Sequence, residues 1–409
     1  LQQFIALASV TMRDVHLLSA ARTPIGGFGG ALAALTAPEL GTHAIRAAVA
    51  RTRVPVDEVE QVIMGNVLTA GVGQAPARQA GLGAGIPRTH AALTINKVCG
   101  SGLMAVALAA QAIRLGEAEV VVAGGMESMT RAPYLLPRVR KGQRLGHGPL
   151  LDAMILDGLW DPYNDFHMGS AAEGCARERN IDRAAQDAYA AESYRRAQAA
   201  AAAGLFADEI VPIAVSGRGG VVTVDSDEEP SRVDFARIPE LRPSFDKQGT
   251  ITAANASTLA DGAAALLVGS DAVLARPGVQ PLARIVATAV AGRAPEEFPI
   301  APVDAIIKVV ARAGLTLADI DLFEINEAFA VVAIAAIRAL ALDPATVNVR
   351  GGAIALGHPI GASGARVLTT LVAALGERRG RYGLATLCLG GGEAIAMIIE
   401  RSGRMTLVG

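Results

Sequence analysis

The residues of this chain best suited to covalent and proton-transfer chemistry are two cysteines, a histidine and an asparagine: Cys99, Cys388, His358 and Asn326. Cys99 follows the apolar segment 91–98 and precedes Gly100-Ser101-Gly102 and a helix, so its sulfur is expected at a helix N-terminus, where the dipole favours thiolate. A thiol near ~8.5 needs a depression of only about one or two units, each worth about 1.4 kcal/mol, to be usefully ionised at neutral pH. A cysteine in that place is equally a small core residue. Cys388 ends a strand and is followed by Leu389 and Gly390-Gly391-Gly392, a backbone able to offer N–H groups to a developing oxyanion. Taken alone, a strand-end cysteine reads as packing. His358 sits in Gly357-His358-Pro359 between glycine-rich turns, where no helix or strand face exists to bury it, and this points to function. Asn326 opens Asn326-Glu327-Ala328-Phe329 after a strand and ahead of a helix, where an N-cap explains it as well as chemistry does.

Other chemistries lose their support. The remaining histidines (16, 43, 90, 147, 167) form no HxxxH pairs with each other or with carboxylates, so a metal site held by them is excluded. GxSxG fails at Ser101 and at Ser363, the phosphate-loop pattern is absent, and Gly81-Gly83-Gly85 is not GxGxxG. Cys99, Cys175 and Cys388 are odd in number, far apart and without CxxC, against a disulfide framework or zinc knuckle. The 37 basic and 39 acidic side chains nearly cancel to −2, so no nucleic acid or anionic bilayer is an expected partner. No apolar run approaches the ~20 residues of a membrane span; the longest clear one, 329–337, stops at Arg338. Residues 1–11 read as an extension ahead of Met12 and not as a signal peptide, which makes the cytoplasm the expected location.

The elements that must position these groups follow an α/β pattern. The 409 residues predict two or three domains, and 51% hydrophobic with 19% charged side chains is an ordinary globular balance able to fill large cores. Strands are expected at 14–20, 61–66, 120–123, 264–269, 283–288, 322–325 and 383–388, each short, mostly apolar and bounded by Gly, Pro or charge. Cys99-Gly100-Ser101-Gly102 is echoed by Gly361-Ala362-Ser363-Gly364. After each comes a helix, then a strand, then glycines (Gly124-Gly125 and Gly390 to Gly392). The same unit used twice implies two similar α/β halves packed face to face with the chemistry at their seam. Residues 131–257 differ in texture and form an inserted lobe. In it, a helix runs from Asp182 as N-cap to Gly204, and 210–215 with 220–224 form a hairpin. The boundaries are an extension at 1–11, a first half at 12–130 completed by 258–280, the lobe at 131–257, a second half at 281–402 and a tail at 403–409.

Together, Val98-Cys99-Gly100-Ser101-Gly102, Asn326-Glu327-Ala328-Phe329-Ala330, the stretch from Gly351 through Gly357-His358-Pro359-Ile360-Gly361, and Cys388-Leu389-Gly390-Gly391-Gly392 resemble the thiolase family over roughly residues 12–402. The resemblance implies a layered α-β-α-β-α core with an inserted loop domain. Within the family the chain looks most like short-chain acetoacetyl-CoA thiolases of the mitochondrial type, through the stretch ending His167-Met168-Gly169, through Arg232-Val233-Asp234-Phe235, and through 297–303. By that likeness Cys99 takes an acetyl group from acetyl-CoA, His358 is its base, and Cys388 removes the α-hydrogen of a second acetyl-CoA to give acetoacetyl-CoA, or works in reverse. One oxyanion falls to His358 and a water on Asn326, the other to the backbone N–H groups of Cys99 and Gly390.

The same likeness assigns coenzyme A to His167, Tyr194, Arg232, Val233, Asp234, Arg237, Ser257 and Phe329. It assigns a potassium ion to Tyr194, Ala253, Ala254, Ala256 and Ile354, with no covalently bound cofactor. Arg237 stands where the mitochondrial type has lysine, and Arg350 and Glu393 also depart from the family pattern, putting local packing in question. Five basic residues at 131, 138, 140, 141 and 144 read as a solvated loop, a tetramer contact or a guide for anionic CoA. A homotetramer or homodimer is expected. The rival expectations are a broader 3-ketoacyl-CoA thiolase and an inactive acyl-CoA-binding scaffold.

Overall fold

Long, mostly apolar strands need cover on both faces, and the computed structural model, which describes residues 13–217 and 219–403, supplies it. The expected extension 1–11 and residues 404–409 of the expected tail lie outside the described residues. The strands that build the core are β1 (Val15–Arg22), β2 (Gln61–Gly65), β3 (Ala91–Ile95), β4 (Val120–Ser128), β5 (Ala260–Ser270), β6 (Ala283–Gly292), β7 (Leu322–Ile325), β8 (Tyr382–Leu389) and β9 (Glu393–Arg401). Every residue of β1, β4 and β5 is buried. They run in the order β7-β8-β9-β6-β1-β5-β4-β2-β3, with the short segment Gly26–Gly27 paired to β5. At the middle only two residue pairs, His16 with Arg284 and Leu17 with Ala283, join β1 to β6. The strands on either side of this junction therefore form one sheet joined by a short ladder.

The main helices are α1 (Ala37–Ala50), α2 (Ser101–Leu115), α3 (Met168–Glu178), α4 (Arg183–Ala202), α5 (Ala301–Ala313), α6 (Ala330–Leu340) and α7 (Ile360–Glu377). The middle layer is α2 against α7, with β2, β4 and β5 on one side and β7 and β8 on the other. Outside lie α1, on β1, β4 and β5, and α5, on β6, β8 and β9, which completes the five layers expected from the family resemblance. The stretch Val98–Leu115 has the length and apolarity of a membrane span; here that composition serves a helix covered by sheet on both sides. Glycines let α2 and α7 touch: a Cβ on Gly102 would strike the backbone of Ala365, and one on Gly364 the backbone of Leu103.

Three sequence expectations change. β3 is a half-exposed edge strand within what reads as an apolar approach to Cys99, and β9 is an additional strand after the glycines. Gly124-Gly125 do not end β4; the strand passes through them to Ser128, because side chains there would collide with Ala264 and Gly361. The lobe helix keeps its predicted start: the Asp182 side chain accepts from the Ala185 N–H at 2.8 Å, and Gly204 follows the last turn with φ +70°. The hairpin pairs Ile213–Gly217 with Gly220–Val224.

Arg22, fully buried at the end of β1, fastens the lobe to the core through Glu209 at 2.9 Å and Asp227 at 2.7 Å. Arg350 reaches the same Glu209 at 2.8 Å and also Glu377 at the end of α7, which accounts for one of the departures from the family pattern.

Candidate active site

Cys99 is presented by a strained turn. Val98, a β-branched residue, has φ +47°, a conformation that persists only where its surroundings hold it. The holding groups are local: Lys97 N donates to the Ser101 hydroxyl at 2.8 Å, that hydroxyl donates to the Val98 carbonyl at 2.7 Å, and Val98 N donates to the Asn96 side chain at 2.9 Å. Gly100 caps α2, so Cys99 stands one residue ahead of the cap. The backbone N–H of Gly390 and that of Cys99 itself favour thiolate, yet burial outweighs them and pushes the thiol up to about 11. The expected depression at a helix N-terminus is thus corrected: the thiol is the resting form.

Cys388 is the last residue but one of β8, and Gly391 and Gly392 turn the chain back into β9 with φ of +81° and +83°. Burial, and next the nearby Cys99, raise its thiol well above the usual range. Parallel to β8 runs β7, and one residue beyond it Asn326 donates its backbone N–H to Thr386 at 3.0 Å. Both polar atoms of the Asn326 side chain are buried without a partner among the described residues, while α6 begins only after Phe329, so the N-cap explanation fails.

His358 is also buried, at 7% exposure, contrary to the expectation from its glycine-rich context. Gly357 lets the chain settle on Ala260 and Ile25, and His358 N donates to the Thr258 carbonyl at 2.9 Å. Nδ1 lies 2.5 Å from the Ser363 hydroxyl, and buried Nε2 has no partner among the described residues. Burial, reinforced by Arg366, lowers its pKa to about 3, so the imidazole is neutral. Cys99 and His358 each stand two residues ahead of a central helix, and those helices interlock at their first turns. The Gly390 N–H and Cys388 thus lie close to Cys99, His358 leads the helix packed against that of Cys99, and Asn326 pairs with the strand that carries Cys388.

The sequence matches the descriptions "Thiolase, N-terminal domain" over residues 15–272 and "Thiolase, C-terminal domain" over residues 279–401. The chain belongs to the thiolase family. Its relatives include Acetyl-CoA acetyltransferase 2 of Arabidopsis thaliana, 52% identical over 96% of this chain and 98% of that protein. Acetyl-CoA acetyltransferase of Cupriavidus necator is 52% identical over 95% of this chain and 100% of that one. Among solved structures, the Acat5 thiolase of Ascaris suum in complex with coenzyme A superposes with a TM-score of 0.91 at 44% identity, covering 95% of this chain and 100% of that one. Human mitochondrial 3-ketoacyl-CoA thiolase does so with 0.92 at 42% identity, covering 96% and 100%.

The residues expected at coenzyme A divide into two groups in this thiolase. His167, half-buried, caps α3 by accepting from Gly169 N at 3.0 Å and stacks on Phe245 with ring centroids 4.7 Å apart. Phe245 meets Phe329 edge-on at 6.1 Å, and Phe329 meets Phe298 at 6.3 Å. Ser257 N donates to the Ala328 carbonyl at 2.9 Å, beside that aromatic wall. The other group lies on the lobe rim: Arg232, Asp234 and Arg237 are exposed, Val233 is half-buried, and Arg232 is engaged by Glu228 and Glu229. Tyr194 is buried next to them, with Phe235 edge-on at 6.5 Å.

Tyr194, Ala256 and Ile354 share one apolar cluster, and the carbonyls of Ala253, Ala254 and Ala256 accept no backbone N–H among the described residues. Neutral carbonyl oxygens are the ligand type that suits a large monovalent cation.

Sequence reasoning passed over Ser363 and Phe245. Ser363 stood in the quoted echo but at five residues from His358, a spacing that signals no helical pairing. Phe245 carried no motif, and only its aromatic character in a charged segment marks it.

Proposed function

We propose that this thiolase is an acetyl-CoA C-acetyltransferase, condensing two acetyl-CoA molecules reversibly to acetoacetyl-CoA and CoA through an acetyl group on Cys99. The observation that carries the reading is a set of buried polar atoms without partners among the described residues, both ends of the Asn326 amide and His358 Nε2, together with two thiols that burial favours in the neutral form. Buried donors and acceptors cost about 1–3 kcal/mol each when unmade, and three of them on two of the residues marked by the family motifs support completion by a bound acyl group. Relatives about half identical over nearly the whole chain and named acetyl-CoA acetyltransferase support the choice of acyl group.

His358 Nε2 takes the Cys99 proton as the sulfur attacks the acetyl-CoA carbonyl, since neither group is charged at rest. The Gly390 and Cys99 N–H groups receive the oxyanion. As the tetrahedral adduct collapses, the CoA thiolate leaves and takes the proton of Cys388, whose raised pKa suits a thiol that acts first as acid. The resulting Cys388 thiolate removes an α-proton from the second acetyl-CoA, with His358 and an Asn326-held water on the enolate oxygen. The enolate carbon attacks acetyl-Cys99, and the departing Cys99 sulfur recovers its proton from His358. Preorganised donors in a dry site make the enolate accessible. Met168 and Val98 close in on Gly390, and with Phe245 and Phe329 they favour a short acyl chain.

Coenzyme A extends from His167 along Ser257 to the rim of Arg232, Val233, Asp234 and Arg237. Tyr194, Ala253, Ala254, Ala256 and Ile354 would hold potassium, which orders that rim. A homotetramer fits the open edge of β3, where Leu93 is 50% exposed, and the exposed Leu136, Val139, Leu145 and Leu150. A dimer is the other outcome of light scattering. Three free thiols suit a reducing compartment such as the cytoplasm.

Incubation with acetyl-CoA should add one acetyl group to the Cys99 peptide, seen by mass spectrometry. An unmodified peptide would leave only an acyl-CoA-binding scaffold. Thiolysis should be fastest with acetoacetyl-CoA, and rates rising with chain length would move the assignment to a broader 3-ketoacyl-CoA thiolase. Potassium replacing sodium should raise turnover.

A further inference from the structure

β4 is buried from end to end, and apart from its terminal Ser128 the single polar side chain in it is Glu127, fully buried. A carboxylate is costly in such a place unless its lone pairs are taken, and here four donors take them. Oε1 accepts from Asn66 Nδ2 at 2.7 Å and from Leu68 N at 3.2 Å; Oε2 accepts from Val67 N at 3.0 Å and from Gly361 N at 2.9 Å. Gly361 is the second residue of α7, so its N–H is one of the helix's unpaired first donors, at the positive end of the dipole. A Cβ on Gly361 would lie 2.7 Å from Oε2, so this contact leaves no slack.

The donors are not scattered. Val67, Leu68 and Ile360, with Met129 and Met154, form an apolar cluster on which Val98 and Cys99 pack. One carboxylate thus ties the wall behind Cys99 to the N-terminus of the helix that follows His358. Burial pushes the Glu127 carboxyl up to about 7 in spite of its donors, and its charge is felt by Cys99, while no step of acyl transfer uses its proton.

We propose that Glu127 is a positioning residue for the reaction above, setting the disposition of Cys99 relative to His358 by holding Val67, Leu68 and Gly361 on one carboxylate. The inference rests on the thiolase reading of the site, and its test separates the two. Glu127→Asp keeps the charge and withdraws the carboxylate by about 1.5 Å, one carbon–carbon bond. Misplacement on the order of 1 Å can cost ~10²-fold in rate, so kcat for condensation and for thiolysis should fall at least about tenfold. KM for acetyl-CoA should stay within about threefold, since the displaced groups set reaction geometry more than binding. Alkylation of Cys99 by iodoacetamide, which needs no CoA, should slow at least about fivefold at pH 7 for the same reason. Asn66→Ala, which removes one of the four donors, should shift kcat and alkylation in the same direction by about threefold, the smaller effect expected of one lost hydrogen bond.

A folded Glu127→Asp protein with kcat and alkylation within twofold of wild type overturns the proposal. If that variant does not fold, the same result for Asn66→Ala does. A raised KM at unchanged kcat also overturns it, by making Glu127 a binding residue. Wild-type protein that alkylates normally but condenses nothing sinks the functional reading instead, and the alkylation comparison still decides the role of Glu127.

Discussion

His358 Nδ1 lies 2.5 Å from the Ser363 hydroxyl oxygen, and that hydroxyl donates its own hydrogen to the Pro359 carbonyl at 2.9 Å. With its hydrogen spent there, Ser363 can only accept from His358, so the proton of the neutral imidazole is on Nδ1 and Nε2 is left bare for the Cys99 thiol. Ser363→Ala should release both tautomers and slow Cys99 acetylation by about 10- to 100-fold, less than the ~10⁴ lost when a charged residue that orients a catalytic histidine is neutralised. Ser363→Thr keeps the hydroxyl and should retain most of the rate. Quenched-flow measurement of acetyl-Cys99 decides it, and an alanine variant within twofold of wild type removes the tautomer argument.

Lys97 and Glu393 form an ion pair at 2.7 Å between the turn that presents Cys99 and the strand that follows Gly390 to Gly392. Both side chains are partly exposed, so the pair is worth at most about 1 kcal/mol. Lys97→Glu or Glu393→Lys alone should lower kcat/KM by less than about tenfold, more at low salt than at high, since screening weakens exposed pairs. Exchanging both charges should recover most of it. A double variant no better than the worse single one denies that the pair aligns the oxyanion donors.

What was legible in the residues was where the chain breaks its patterns. Cys99, His358 and Cys388 stand out because glycine and proline interrupt helix and strand around them, and the echoed Ser-Gly of Ser101-Gly102 and Ser363-Gly364 marks two helices that do interlock. Burial was not legible, because it is conferred by distant segments. The helix-start argument for Cys99 counts the dipole but not the layers above, so it misses a pKa of about 11. His358 looks uncovered until β5 and α7 close over it. Gly124-Gly125 resemble a strand end, yet they are the place where Gly361 comes too near for side chains. Asn326 carries an ambiguous local signal, settled only when α6 starts three residues after the point an N-cap requires.

Arg350 joins the Leu205 carbonyl and Glu209, on the lobe, to Glu377 on α7, from a site almost wholly buried. Arg350→Met should destabilise the fold by about 3–5 kcal/mol, because Glu209 would be left short of a partner in the core. Turnover per folded molecule at 25 °C should change little, as no reacting group is touched. Chemical denaturation together with active-site titration by iodoacetamide separates the two effects. Stability within about 1 kcal/mol of wild type, the ordinary value for a surface change, would mean that the pair is not structural.

Glu324, two residues ahead of Asn326, is buried with Oε1 unpartnered among the described residues and Oε2 3.8 Å from Arg366. Burial raises its pKa to about 8, against the pull of Arg366 and with the push of Glu327 and Glu209. A carboxyl whose folded pKa lies above its unfolded one stabilises the fold fully below the usual carboxylate range, and that contribution is lost as pH rises through about 8. Between about pH 6.5 and 8.5 the loss from Glu324 alone is on the order of 2 kcal/mol. Glu127, raised to about 7, adds in the same direction. His358, lowered to about 3, acts oppositely but only in more acid solution, where the unfolded imidazole is protonated. Wild-type stability should therefore fall across this window, and Glu324→Gln should flatten the fall whatever its absolute stability, because the slope counts protons and not contacts. Urea denaturation at several pH values measures that slope. An unchanged slope in the glutamine variant would show that Glu324 is already ionised at neutral pH beside Arg366.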